Sequence, residues 1–166
     1  MTLKRLPNRT YPALGISITH RAVKESFAKR CSTQELQEIR KYFEQSNRLK
    51  CVYCGAEHPT RWDHFFPISQ GGDTVKGNLV PACGSCDDSK QDKTLDEWFS
   101  SKSKKKPSED RHDSIKKTIT DYQAHFGYTP QAFEKKLSAD QRATYEGFLE
   151  KLDKLRNYLR EQQIIN

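Results

Sequence analysis

Four cysteines carry the first chemical signal. Cys51-Val52-Tyr53-Cys54 and Cys83-Gly84-Ser85-Cys86 are two CxxC pairs. The two-residue gap lets both sulfurs of a pair converge on one ion from a tight turn, and two pairs offer the four thiolates of a closed tetrahedral Zn²⁺ site. Gly55 and Gly84 relax the backbone where such turns need it. A four-sulfur site keeps no open position, so this zinc is expected to hold the fold and not to do chemistry. Structural zinc contributes roughly 10–16 kcal/mol of apparent free energy in small modules. Between the pairs lies a second signal, Asp63-His64, set in "RWDHFFPISQGG" between Trp62 and Phe65-Phe66. Burying a carboxylate and an imidazole is costly unless they are paired or bound to metal. Cys54 and Cys83 are further apart than the roughly 15–20 residues of an ordinary zinc ribbon. The ion therefore clamps the ends of an insert that carries Asp63-His64, Gly71-Gly72 and Gly77-Asn78.

The elements that must position these groups are short. Residues 62–66 and 79–80 read as two strands around the Gly71-Gly72 loop, and helical character resumes after Cys83. Thr94 with Glu97 suits the cap of a further turn carrying Trp98 and Phe99. Upstream, residues 1–31 are basic and interrupted by Pro7, Pro12 and Gly15, so an irregular arm is expected, with a short helix at about 21–29. Ser32 and Glu35 have capping-box spacing, followed by Leu36, Ile39, Tyr42 and Phe43 at helical intervals, which predicts a helix at about 33–45. "SSKSKKKPSED", residues 100–110, reads as a linker or flexible basic loop. Beyond it Ile115, Ile119, Tyr122 and Phe126 form one apolar stripe stopped by Gly127. Thr129-Pro130 is expected to open another helix. A last one, capped by Ser138 and Gln141, carries Tyr145, Phe148, Leu149, Leu152, Leu155 and Leu159 on one face, with Lys151, Lys154, Arg156 and Arg160 on the other. The expected divisions are a basic arm and helix at 1–49, a zinc-stapled core at 50–99, a linker at 100–110 and a helical region at 111–166.

Bulk properties narrow the function. Only 34% of the 166 residues are hydrophobic and 31% are charged, so a small core stapled by a metal fits better than one large apolar core. A net charge of +7 favours a polyanionic partner, nucleic acid first, because each phosphate neutralised by Lys or Arg releases counterions. No run approaches the roughly 18 apolar residues of a membrane span, and the N-terminal stretch lacks the apolar core of a secretory signal. A cytoplasmic protein without a membrane partner is expected, and there disulfides are disfavoured. Cys31 then reads as a plain buried or half-buried thiol.

Taken together, "CVYC … WDHFFPISQGGDTVKGNLVPACGSCDDSK" resembles the HNH nucleases, the ββα-metal superfamily, in the variety with two zinc-binding CxxC pairs. The resemblance covers about residues 50–99 and implies an α+β fold. Its small ββα-metal core, with a structural zinc on Cys51, Cys54, Cys83 and Cys86, would be flanked by the basic arm and the C-terminal helices. It implies that Asp63 binds a catalytic divalent ion, that His64 is the general base, and that Asn78 fixes the loop and the histidine's orientation. Asp87 falls where the third motif residue stands, commonly His or Asn. Aspartate there favours Mg²⁺ or Mn²⁺, and Asp87 and Asp88 are both open as the ligand. Lys90, one turn beyond, would touch a neighbouring phosphate or be an ordinary surface lysine. His20, His58, His112 and His125 have no such context.

The implied activity is metal-dependent hydrolysis of DNA, double-stranded by expectation, to 3′-hydroxyl and 5′-phosphate ends, as in restriction or phage defence. A general base supplies about 10²–10⁴-fold, well short of the roughly 8–23 kcal/mol of typical enzymatic acceleration, so a cation is expected beside His64. Two rivals stand beside this reading. One is a non-catalytic zinc module that binds nucleic acid. The other is a nuclease subunit of a defence or toxin complex, with the C-terminal helices docking a partner protein or a second copy in a homodimer.

Overall fold

The computed structural model describes residues 11–44 and 49–164. In chain order the elements are α1 (Tyr11–Ser26), α2 (Thr33–Phe43), β1 (Arg61–His64), β2 (Leu79–Ala82), α3 (Gly84–Lys90), α4 (Leu95–Phe99), α5 (His112–Phe126), α6 (Phe133–Lys136) and α7 (Ala139–Glu161). Single 3₁₀ turns lie at Ile68–Gln70 and Glu109–Arg111. The class is α+β, one small antiparallel hairpin among helices. Residues 28–133 form one compact unit, and the segment through residue 27 joins the segment from 134 onward in another.

In the unit of residues 28–133, β1 and β2 pair antiparallel with Asp63 opposite Val80 and His64 opposite Leu79. Strand alternation sends Asp63 inward, 6% exposed, and leaves Trp62 and His64 half-buried on the other face. Every residue of β2 is buried. Pro81 costs this strand no ladder bond, because the sheet has only two strands and the Pro81 carbonyl accepts from Val52 N at 2.9 Å. α2 starts at the expected capping box: the Ser32 hydroxyl accepts from Glu35 N, and the Glu35 carboxylate accepts from Ser32 N. It turns Ile39 fully into the core. The expected end of α2 at Gln45 lies outside the described residues. α5 presents Ile115, Ile119 and Tyr122 at helical spacing, and the Tyr122 hydroxyl donates to the Leu79 carbonyl at 2.8 Å. Trp98 of α4 is fully buried, edge-on to Tyr53 with ring centres 5.1 Å apart.

Two expectations in this unit need correction. The strand expected at 62–66 covers Arg61–His64 instead. It stops there because the Phe66 N–H turns to the Asn78 side chain at 3.0 Å. No helix opens at Thr129-Pro130: residues 128–132 have no regular structure and α6 begins at Phe133. That stretch lies flat over Gly71, where a Cβ would stand 2.5 Å from Gln131 O and Phe133 N. Gly71 also has φ 106, so both the contact and the turn require glycine.

Residues 100–110 are a run of turns pinned at several points. Ser103 Oγ bonds Ser89 Oγ at 2.7 Å, Lys106 Nζ donates to the Phe99 carbonyl, and Pro107 is buried. The His112 ring stacks on Phe99 at 3.8 Å. α5 thus packs in the same unit as the hairpin, whereas the sequence reading grouped it with the later helices.

In the other unit α1 packs on α7. The expected irregular arm with a helix at 21–29 is instead a helix from Tyr11 to Ser26, and residues 1–10 lie outside the described residues. Pro12 falls in the first helical turn, where a missing N–H costs nothing. Ile16, His20 and Val23 make the inward stripe. Its middle member is a histidine whose Nε2 bonds the Tyr145 hydroxyl at 2.6 Å. α7 has the expected capping box at Ser138 and Gln141 and buries Tyr145 and Leu152.

Candidate functional site

The four sulfurs converge. Cys51 and Cys54 flank a turn closed by Gly55 N to Cys51 O at 2.8 Å, with Gly55 at φ 76. Cys83 is the N-cap of α3 and Cys86 lies in its first turn. The ligand atoms all lie within 4.8 Å of one another, and Cys54 Sγ is 3.6 Å from Cys83 Sγ. A tetrahedral ion with Zn–S bonds of about 2.3 Å needs sulfurs about 3.8 Å apart, so the donor set fits zinc. Sulfurs this close compete for protons. The hydrogen bond from Cys86 draws the Cys51 thiol down to about 4, while Cys86 is raised, first by that same bond. A divalent cation resolves the competition by taking all four as thiolates. Arg111, which the sequence did not single out, donates to the Cys54 carbonyl at 2.6 Å and lies against Gly55.

Asp63 and His64 part company. The Asp63 carboxylate accepts from the Tyr53 hydroxyl at 2.5 Å and stands 3.1 Å from Lys90 Nζ. Burial pushes its carboxyl up to about 6, against the pull of the Lys90 ammonium. Burial likewise holds Tyr53 well above the usual phenol value, reinforced by the Asp63 charge, so Tyr53 is the donor of that bond. His64, on the opposite side of the strand, places Nε2 2.8 Å from Thr74 Oγ1. Thr74 is fixed in turn through its backbone, to Lys29 O and from Cys31 N.

Lys90 is a correction. Its side chain is fully buried; besides Asp63 it binds the His64 carbonyl at 2.7 Å, so it cannot face a phosphate in this arrangement. An ammonium enclosed this way needs a carboxylate and a carbonyl around it, and α3 delivers it to both. Lys90 therefore fastens the end of β1.

Asn78 is completely buried. Its Nδ2 donates to Phe66 O at 3.0 Å and Asp73 O at 2.7 Å, and its Oδ1 accepts from Phe66 N at 3.0 Å. It stitches both ends of the loop after β1, the loop that supplies Thr74 to His64. Asp87 and Asp88 share one partner: Arg61 Nη1 lies 2.9 Å from Asp87 and 2.5 Å from Asp88. Arg61 was not anticipated, although it stands two residues before Asp63 on the same strand face.

Asp63 is thus held by Tyr53 and Lys90, and Asp87 by Arg61. Among the described residues the four cysteines are the only group of three or more potential ligand side chains close enough to hold an ion. The carboxylates as arranged do not fit a second divalent cation. The other histidines have local partners: His20 the Tyr145 hydroxyl, His112 the Pro107 carbonyl, and His125 the rings of Tyr42 and Phe126. His58 sits in a turn at φ 56.

Among the described residues no helix is long and apolar enough to cross a membrane. Neither a curated protein nor a solved structure matches the chain. Residues 51–93 do match a family model, that of the HNH endonucleases. That match runs from the first cysteine past α3 and encloses the cysteine cluster, Asp63, His64, Asn78 and Lys90. Residues 51–93 therefore match the HNH endonuclease domain, and both CxxC pairs lie inside the matched segment.

Proposed function

We propose that this protein is an endonuclease that hydrolyses DNA phosphodiester bonds, with His64 as general base, leaving 3′-hydroxyl and 5′-phosphate ends. The observation that carries the reading is the placement of His64: half-buried at the end of β1 inside the matched segment, with a hydroxyl oxygen 2.8 Å from Nε2. That is hydrogen-bond reach, which a general base needs; here the Thr74 hydroxyl fills it and orients the ring. Lys90 fixes the His64 carbonyl and Asn78 fixes the loop bearing Thr74, so the imidazole is positioned from both sides. His64 takes a proton from water, the hydroxide attacks phosphorus in line, the bond to the 3′ oxygen breaks, and that oxygen takes a proton from a second water to become the 3′-hydroxyl. Restriction of foreign DNA is a setting that fits such an activity.

The requirement for Mg²⁺ or Mn²⁺ rests on the family likeness, not on the carboxylates. Asp63 and Asp87 bind such an ion only if Lys90 and Arg61 give way. The same pairs favour a second reading, a zinc module that binds nucleic acid without cutting it. Supercoiled plasmid separates the two. Wild-type protein with Mg²⁺, with Mn²⁺ and with chelator is compared with His64→Ala, and the ends of the product are mapped by ligation. Nicking that needs His64 and yields ligatable ends supports the nuclease; indistinguishable wild-type and variant traces leave the binding module.

A further inference from the structure

Beside α3, on residues that the chemistry above does not use, lies a cleft of about 440 Å³. Ser89, Lys93, Ser101, Ser103 and Lys105 line it. Asp88 also lines it but is engaged with Arg61. The wall formed by residues 101–105 belongs to the lysine-rich stretch expected to be a flexible linker, and its order is built from hydroxyls. Trp98 Nε1 donates to Ser89 Oγ, Ser89 Oγ bonds Ser103 Oγ, and Ser101 Oγ donates to Trp98 O. Ser103 Oγ accepts in turn from Lys105 N. This network, anchored on a fully buried tryptophan, orders the segment through which Lys105 joins Lys93 in lining the cleft.

Some lysines of this unit are neutralised by a carboxylate and some are not. Lys76 pairs with Glu38, Lys116 with Asp96 and Lys117 with Asp121. Among the described residues Lys93, Lys102, Lys104 and Lys105 have no ion-pair partner. Lys93 hydrogen-bonds two neutral oxygens, Lys90 O and Gln91 Oε1, and its charge is felt by the Glu97 carboxylate without an ion pair. Asp96 is taken by Lys116, and Glu97 by the Thr94 cap and Gln70. Like charges gathered on an ordered loop repel one another unless an anion lies between them.

We propose that this cleft seats the phosphate backbone of the bound DNA away from the scissile bond, with Lys93 and Lys105 as its two cationic contacts and Lys102 and Lys104 extending the track. The proposal rests on the nuclease reading and adds a second anchoring point to it. The test is the salt dependence of duplex binding by the full-length, zinc-loaded chain, read by fluorescence anisotropy, for wild type and Lys93→Ala/Lys105→Ala. Losing two phosphate contacts flattens the slope of log K against log salt by about 1.8 and weakens binding about tenfold or more at 0.1 M salt. Nicking by the double variant then shows a raised KM with kcat at saturating DNA within about twofold of wild type.

Lys116→Ala/Lys117→Ala removes the same charge from paired lysines and leaves the slope nearly unchanged. An unchanged slope in Lys93→Ala/Lys105→Ala, or equal flattening in the control, overturns the proposal. Inorganic phosphate at matched ionic strength should displace duplex no better than chloride; selective displacement would make the cleft a site for free phosphate and overturn its assignment to the backbone. Wild-type nicking with an unaltered slope in the variant sinks the cleft alone. A flattened slope without wild-type nicking keeps the cleft and sinks the hydrolytic reading.

Discussion

Replacing Lys90 by methionine tests the packing on which the site depends. The substitution keeps most of the side chain's volume but removes an ammonium 3.1 Å from Asp63 and 2.7 Å from the His64 carbonyl. Breaking a buried pair from one side costs about 3–5 kcal/mol, because the remaining charge is left uncompensated. The loss depends on pH in a direction the structure sets. Asp63 in the folded chain is pushed up to about 6 from an ordinary 3.8, and Lys90 is the largest influence holding it down. A raised carboxyl favours the folded state fully below its unfolded value, and that advantage is lost as pH climbs through the folded value. Without Lys90 the folded value rises further, so the variant's deficit against wild type widens above about pH 6. It does so by about 1.4 kcal/mol for each unit of additional rise. Urea unfolding of zinc-loaded protein, followed by tryptophan fluorescence at pH 5.5 and pH 8, measures this. The deficit should be smaller at pH 5.5, and Asp63→Asn added to Lys90→Met should restore part of the loss at pH 8. A deficit equal at both pH values, or a double variant no more stable than Lys90→Met, refutes the reasoning.

Further outcomes follow from the same geometry. Mass spectrometry of the metal content should find one zinc per chain, and Cys86→Ser or strong chelation should unfold residues 28–133, seen as loss of the near-UV aromatic signal; a chelated protein that keeps this signal would contradict the stapled core. Asn78→Ala should cost about 2–4 kcal/mol in urea unfolding, since three hydrogen bonds are lost and buried partners are left unmade. Gly77→Ala should destabilise by at least about 1 kcal/mol, because the added Cβ runs into Tyr128 at a φ of 86. Thr74→Ala should slow nicking less than His64→Ala does, because the hydroxyl orients the imidazole without replacing it.

What the sequence made legible were features specified by a few nearby residues. Capping boxes at Ser32, Thr94 and Ser138 depend on two residues three apart, and all three stand. Gly127 ends α5 in the left-handed conformation as expected. The cysteine pairs announced one site because their spacing leaves little else for them to do. Lys90 was misread for the opposite reason. It lies in the polar run "DDSKQDK", where nothing local says that α3 turns it inward onto Asp63. Tyr53, between two cysteines, gave no sign that its hydroxyl would cross to the strand. α1 was hidden because its inward stripe uses His20, which looks polar until Tyr145 meets it. Likewise the stretch "SSKSKKK" reads as flexible by composition, and only the tertiary contacts of Ser89 and Trp98 order it. Pairings distant in sequence were out of reach, and they are the ones that decide which charges are free to act.

The most direct measurement is the single-turnover rate of duplex cleavage by wild type and by His64→Ala, with zinc content and urea stability matched. A general base predicts a rate lower by about 10²–10⁴-fold in the variant. Equal rates, or no cleavage by wild type with either Mg²⁺ or Mn²⁺, would contradict the assignment of hydrolysis to this imidazole.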